Sequence, residues 1–94
     1  MTSRTADITT PNASRYLQQM CKHFGHKVAV EFDQATGRIE LPFGTCQLEA
    51  RARKLTLNVT SSATDIRRTE QVIADHLARF AFREDPTITW RDAA

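Results

Sequence analysis

The feature that most constrains this chain is a period-two alternation that returns four times between residues 28 and 60. Val28, Val30 and Phe32 alternate with Ala29 and Glu31. Ile39, Leu41 and Phe43 alternate with Glu40 and Pro42. Cys46, Leu48 and Ala50 alternate with Gln47 and Glu49, and Leu55, Leu57 and Val59 with Thr56 and Asn58. Successive side chains of a strand leave opposite faces, so each run has one apolar and one polar face. Turn residues at 33–37, Gly44 and the charged segment 51–54 separate the runs, with Gly37 free to take a positive φ. Pro42 has no N–H for a ladder and predicts an edge strand or a bulge. Four such strands in succession predict an antiparallel meander with a single buried face. That face needs a cover.

Two helical stripes supply one. Tyr16, Leu17, Met20, Cys21 and Phe24 recur at three and four residues, which predicts a helix over 13–24. Thr10 or Asn12, beside Pro11, offers its cap, and Gly25 its left-handed stop. Ile66, Thr69, Val72, Ile73, His76, Leu77 and Phe80 form the second stripe, preceded by Ser61, Ser62 and Thr64 as capping candidates. Asp85-Pro86 breaks the chain, and the alternation of Ile88 and Trp90 predicts a short last strand. The polar residues 1–11 read as a flexible lead-in, and 12–92 as one α+β domain. The expected order is α-β-β-β-β-α-β. The expected architecture is a two-layer sandwich, an antiparallel sheet of about five strands with both helices on one face.

Length and charge narrow the function classes. Ninety-four residues with 13 basic and 11 acidic side chains leave a net charge of +2. That excess is too small, and too little interleaved with aromatics, for a nucleic-acid footprint. The longest apolar runs are three residues, far short of the roughly 20 that a membrane-spanning helix needs. The first ten residues contain no apolar signal region. Two isolated cysteines, Cys21 and Cys46, fit a reducing compartment better than a secreted disulfide scaffold. The expectation is a cytoplasmic protein with both thiols reduced and no membrane partner.

Chemistry-bearing residues are few. His23 and His26 lie close to the end of the first helix, and His76 lies on the inward edge of the second. With Cys46 they are the candidate metal ligands, since zinc and iron take N and S donors in sets of three or four. No Cys-x-x-Cys or His-x-x-x-His spacing supports that set. The structural alternative has His23 at the negative end of its helix, and His26 and His76 donating to backbone carbonyls. Arg79 and Arg83 are candidate anion-facing residues at the same end as Trp90. Their alternative is a helix-end cap, with Arg83 pairing locally with Glu84. No base–nucleophile pair or acid–base carboxylate pair appears, so no catalytic residue is assigned.

Four blocks of the chain resemble one bacterial family. They are Ser14-Arg15-Tyr16-Leu17, Cys21-Lys22-His23-Phe24-Gly25-His26-Lys27, Pro42-Phe43-Gly44-Thr45-Cys46 and the segment from His76 to Glu84. In that order, across about residues 13–91, they are similar to the domain of unknown function 2218. The resemblance implies a small cytosolic protein without an assigned activity. It also implies an association with siderophore-interacting flavin reductases, and so with iron handling. His23, His26, His76, Arg79 and Trp90 match the family's characteristic positions.

Three readings follow. The first is a non-enzymatic binding or accessory module with a protein partner or small ligand at the histidine end, serving iron or siderophore handling. The second is a metal- or haem-binding protein that uses the histidine cluster. The third is a homodimer formed through a sheet edge.

Overall fold

In a computed structural model, which describes residues 1–93, both apolar stripes form the expected helices. Helix α1 spans Ala13–Phe24 and α2 spans Ile66–Phe80. The strands are β1 (Thr2–Thr9), β2 (Ala29–Phe32), β3 (Thr36–Leu41), β4 (Gly44–Arg51), β5 (Lys54–Ser61) and β6 (Arg91–Asp92). They form one antiparallel sheet in the order β2-β3-β4-β5-β1-β6. The α+β two-layer class stands, with six strands.

The sixth is β1. Residues expected as a flexible lead-in pair with β5 over eight positions, from Thr2 opposite Ser61 to Thr9 opposite Lys54. Ala6 and Ile8 face the helices and are buried, while Ser3 and Asp7 bond across the open face to Thr60 and Thr56. The strand's inner face carries an arginine, a small residue and only one large apolar residue, Ile8, so its alternation is faint in the sequence. Its β-branched threonines suit a pleated ladder once β5 offers one.

The topology explains what each helix covers. From β1 the chain crosses the sheet to its far edge, so α1 packs over β2, β3 and β4, with a lighter contact on β5. From β5 it returns the other way, so α2 packs over β5, β1 and β4. Leu17, Ile39, Leu55, Leu57, Ile73 and Leu77 are fully buried between the layers. Each such side chain contributes about 2 kcal/mol of burial free energy.

The glycines act through proximity rather than handedness. None has a positive φ. Gly25 ends α1 in a right-handed conformation, its N–H donating to the Cys21 carbonyl. Gly37 lies within β3, where a Cβ would stand 2.8 Å from Cys21 Sγ and 3.2 Å from Leu17 Cδ2. At Gly44 a Cβ would stand 2.8 Å from Thr69 Oγ1 and 2.9 Å from the Thr60 carbonyl oxygen. Each helix therefore approaches the sheet over a glycine.

Three local expectations change. Pro42 sits with Phe43 in the two-residue turn between β3 and β4, where its missing N–H costs no ladder bond. Asn12 and Asp65 precede the helices without side-chain caps; Thr10 Oγ1 and Ser62 Oγ instead accept the Asn12 and Asp65 N–H groups. The last strand is displaced beyond Trp90 to Arg91–Asp92, which pair with Thr5 and Arg4.

Candidate functional site

The C-terminal turn of α1 and the middle of α2 meet above the sheet. His23 and His76 face each other there, ring centroids 4.9 Å apart and tilted by 44°. Phe24 lies 4.6 Å from His76, and Phe80 meets the His23 ring edge-on at 5.8 Å. The sequence produces this local arrangement directly. Phe24 belongs to the buried stripe of α1, so its exposed neighbour His23 flanks that stripe. His76 and Phe80 are one turn apart on α2 and share a half-buried rim.

Hydrogen bonding settles one tautomer. His76 Nδ1 lies 2.7 Å from the Val72 carbonyl oxygen, which only accepts. Nδ1 therefore carries the proton and Nε2 is left for another partner. This matches the carbonyl-donating alternative expected for His76. His23 is exposed, in the last turn of α1, where a basic side chain is favoured. Its pKa lies below the ordinary imidazole value. Desolvation is the largest cause, followed by the positive fields of His76, Arg79, His26 and Lys27. The strongest charged influences on His23 are all basic.

The remaining candidates divide. Arg79 and His26 belong to this electropositive neighbourhood, although the His26 ring is not stacked on either histidine. Arg83 stands 5.7 Å from the Phe82 ring and does not pair with Glu84. Glu84 instead accepts from Thr10 Oγ1 at 2.7 Å, Asn12 Nδ2 at 3.0 Å and the Tyr16 hydroxyl. Those three donors hold its pKa below the usual carboxylate range, Tyr16 first. They fasten the segment after α2 to the start of α1. Trp90 lies beside β6, its carbonyl accepting from Arg4 at 3.3 Å. It belongs to the opposite side of the sheet from β2.

The four-residue metal set does not converge. Cys46 is fully buried in β4, and burial pushes its thiol far above the free value. Cys21 is buried too, its thiol pushed up to about 11 by desolvation. Among the described residues no three His, Cys, Asp or Glu side chains form a metal-holding group. Two imidazoles alone fall short of the three or four ligands such sites need.

Sequence reasoning missed a second cluster. Glu70, buried in α2, accepts from Arg4 Nε at 2.9 Å, and Arg4 also donates to Asp92 at 2.6 Å. A glutamate interrupting an apolar stripe was the available signal. Its partner lay in the segment expected to be flexible.

The open face of the sheet carries a hollow of about 600 Å³ among Glu31, Arg38, Gln47, Glu49, Thr56 and Asn58. Its acids and bases are mixed, and Arg38 pairs with Glu40 at 3.3 Å. The balance is acidic, with Glu31, Asp33 and Glu49 against Arg38. No helix among the described residues is long and apolar enough to cross a membrane.

Comparison with known proteins agrees with the fold. Residues 5–91 match the family described as "Uncharacterized protein conserved in bacteria (DUF2218)". A solved NMR structure, PA4090 from Pseudomonas aeruginosa, is 34% identical and superposes with a TM-score of 0.81, covering 97% of this chain and 96% of that one. No curated protein matches the chain.

Proposed function

The chain belongs to this family of uncharacterised bacterial proteins, and from that premise we propose that it is a non-enzymatic binding module for an anionic ligand at the His23–His76 seam. One observation carries the reading. His23 stands 4.9 Å from His76 amid Arg79, His26 and Lys27, and these basic groups are the charges that most perturb its ring. A basic cluster of this kind is electrostatically incomplete and favours an anion. His76 is suited to take part, since the Val72 carbonyl orients its ring and leaves Nε2 unbonded to that carbonyl. Phe24 and Phe80 add apolar surface at the same place.

The family resemblance suggests iron handling, and a ferric tricatecholate siderophore fits this chemistry, being both anionic and aromatic. The catecholate complex would lie against the basic cluster, its rings against the Phe80 side. The protein supplies orientation and charge, and no bond is made or broken.

Thermal melts with ferric tricatecholate, inorganic phosphate and zinc test this reading. A ligand at about 100 times its dissociation constant adds roughly 2.7 kcal/mol, a shift of roughly ten degrees or more for a domain this small. The expected result is a rise with the ferric complex that His23→Gln removes. No rise with either anion, or a rise that His23→Gln leaves intact, overturns the reading. Stabilisation by zinc alone would make the seam a metal site.

A further inference from the structure

We propose that a strip formed by the outward side of α1 and the segment after α2 binds single-stranded nucleic acid, with phosphates on its cations and an unpaired base on Phe82. The net charge of +2 conceals how unevenly the charges lie along the chain. Residues 8–30 hold Arg15, Lys22 and Lys27 and no acidic residue. Arg15 and Lys22 are also the only charged residues lining an open hollow of about 560 Å³ on α1, beside Asn12, Gln18 and Gln19.

The fold adds cations and an aromatic ring that the sequence keeps apart from these. The Phe80 ring meets His23, and the Glu84 carboxylate accepts from Tyr16 and Asn12. Residues 80–84 therefore run beside α1 from its last turn back to its first. Arg79, Phe82 and Arg83 come with them. Arg15, Lys22, Lys27, Arg79 and Arg83 are all exposed, and among the described residues none of the five has an ion pair. Glu84 lies in the field of Arg15, but its oxygens are spent on Thr10, Asn12 and Tyr16. Asp85 is the other acid of that segment. On the sheet the pattern is reversed, for Arg4, Arg38, Arg51 and Arg91 each have a carboxylate partner. A row of unpaired cations concentrates a polyanion beside it.

Phe82 selects which polyanion. It is 68% exposed, with the Arg83 guanidinium 5.7 Å from its ring. A base of any identity gains by stacking on such a ring while its phosphates meet the flanking cations. Bases inside a duplex are stacked on one another, so a duplex gains from the charge alone. A lipid surface calls for an apolar face on the docking helix. The apolar residues of α1 are all buried against the sheet and α2. The strip borders the His23–His76 seam without needing that site's ligand.

Fluorescence anisotropy of a labelled oligothymidine of about twelve nucleotides, with a duplex of equal length alongside, tests this. The expected dissociation constant is micromolar at about 50 mM salt, with the duplex weaker. Phe82→Ser, a change at an exposed position, should weaken oligothymidine binding about tenfold and remove the preference over the duplex. Lys22→Gln should weaken it more than Arg67→Gln, which removes the same charge at the far start of α2. No binding, equal affinity for the duplex, or unchanged binding by Phe82→Ser overturns the assignment. Equal losses from Lys22→Gln and Arg67→Gln would mean diffuse charge without a site, and overturn it too. Binding to phosphatidylserine vesicles without binding to the oligonucleotide gives the strip to a lipid surface and overturns it as well.

Discussion

Near its start, α2 sets Glu70 against Arg4 of β1; two turns later it sets His76 against His23 of α1. The first contact is neutralised. The Glu70 side chain is only 7% exposed, and Arg4 answers it at 2.9 Å before reaching on to Asp92 and the Trp90 carbonyl. The second contact is dominated by basic groups, with His76, Arg79, His26 and Lys27 the strongest charged influences on His23. A buried charge without a partner is too costly to persist, so the Arg4 cluster must be complete in the folded chain itself. An exposed basic cluster is tolerated because water screens it, and it gains most when an anion arrives. The same helix therefore carries one contact that holds the fold and one that is free to bind.

The largest expected effect breaks the first contact. Arg4→Met strands the Glu70 carboxylate, whereas Glu70→Met leaves a half-exposed Arg4 still paired with Asp92. The drop in melting temperature should be roughly twice as large for Arg4→Met as for Glu70→Met. Equal drops in thermal circular-dichroism melts would show that the pair acts through packing alone.

A smaller effect couples the sheet to the second contact. Gly37→Ala places a methyl 2.8 Å from Cys21 Sγ, so the Cys21 side chain or α1 itself must give way. The overpacking should cost about 1–3 kcal/mol in urea unfolding. Because α1 carries His23, anion affinity should weaken with it. Unchanged affinity in a destabilised Gly37→Ala protein would mean that the spacing of the two histidines is not what the ligand reads.

The smallest stability effect falls on the binding contact itself. His23→Gln should change stability by less than about 0.5 kcal/mol at about pH 8. The folded pKa of His23 lies below its unfolded value, so the unfolded chain takes up the proton first. Its stability contribution is present above the free-imidazole pKa of about 6.5 and declines as pH falls through that value toward the folded one. His23→Gln should flatten this acid-side decline in melts taken between about pH 8 and pH 5. A bound anion works in the opposite sense by favouring the imidazolium. Its stabilisation of the unsubstituted protein should therefore grow on acidification. An anion-induced shift that is constant over this range would remove His23 from the site.

Much of this was legible in one dimension. The stripes from Tyr16 to Phe24 and from Ile66 to Phe80 recur at helical spacing, and the structure makes helices over those very spans. The runs ending at Val59 alternate, and Cys46, Leu48, Leu55, Leu57 and Val59 are buried in β4 and β5. Local periodicity suffices there because each segment's burial depends only on which of its own faces is apolar. β1 escaped that logic. Its inner face holds Arg4 and Ala6, and it becomes a strand because β5 leaves an edge and Glu70 supplies a partner for the arginine. The glycines misled for a similar reason. Gly25 and Gly37 read as sites of positive φ, yet Gly37 serves by admitting α1, a requirement set by a helix some 15 residues earlier in the chain.

The sequence by itself determined the two helices, the meander, the apolar face they share and the short list of histidines. Those properties follow from the spacing of side chains along one segment. Only the tertiary structure decided that β1 enters between β5 and β6, that His23 meets His76 while His26 and Cys46 stand apart, and that β2 is left as the open border. Each of those depends on which distant surfaces come together, and no local period encodes that.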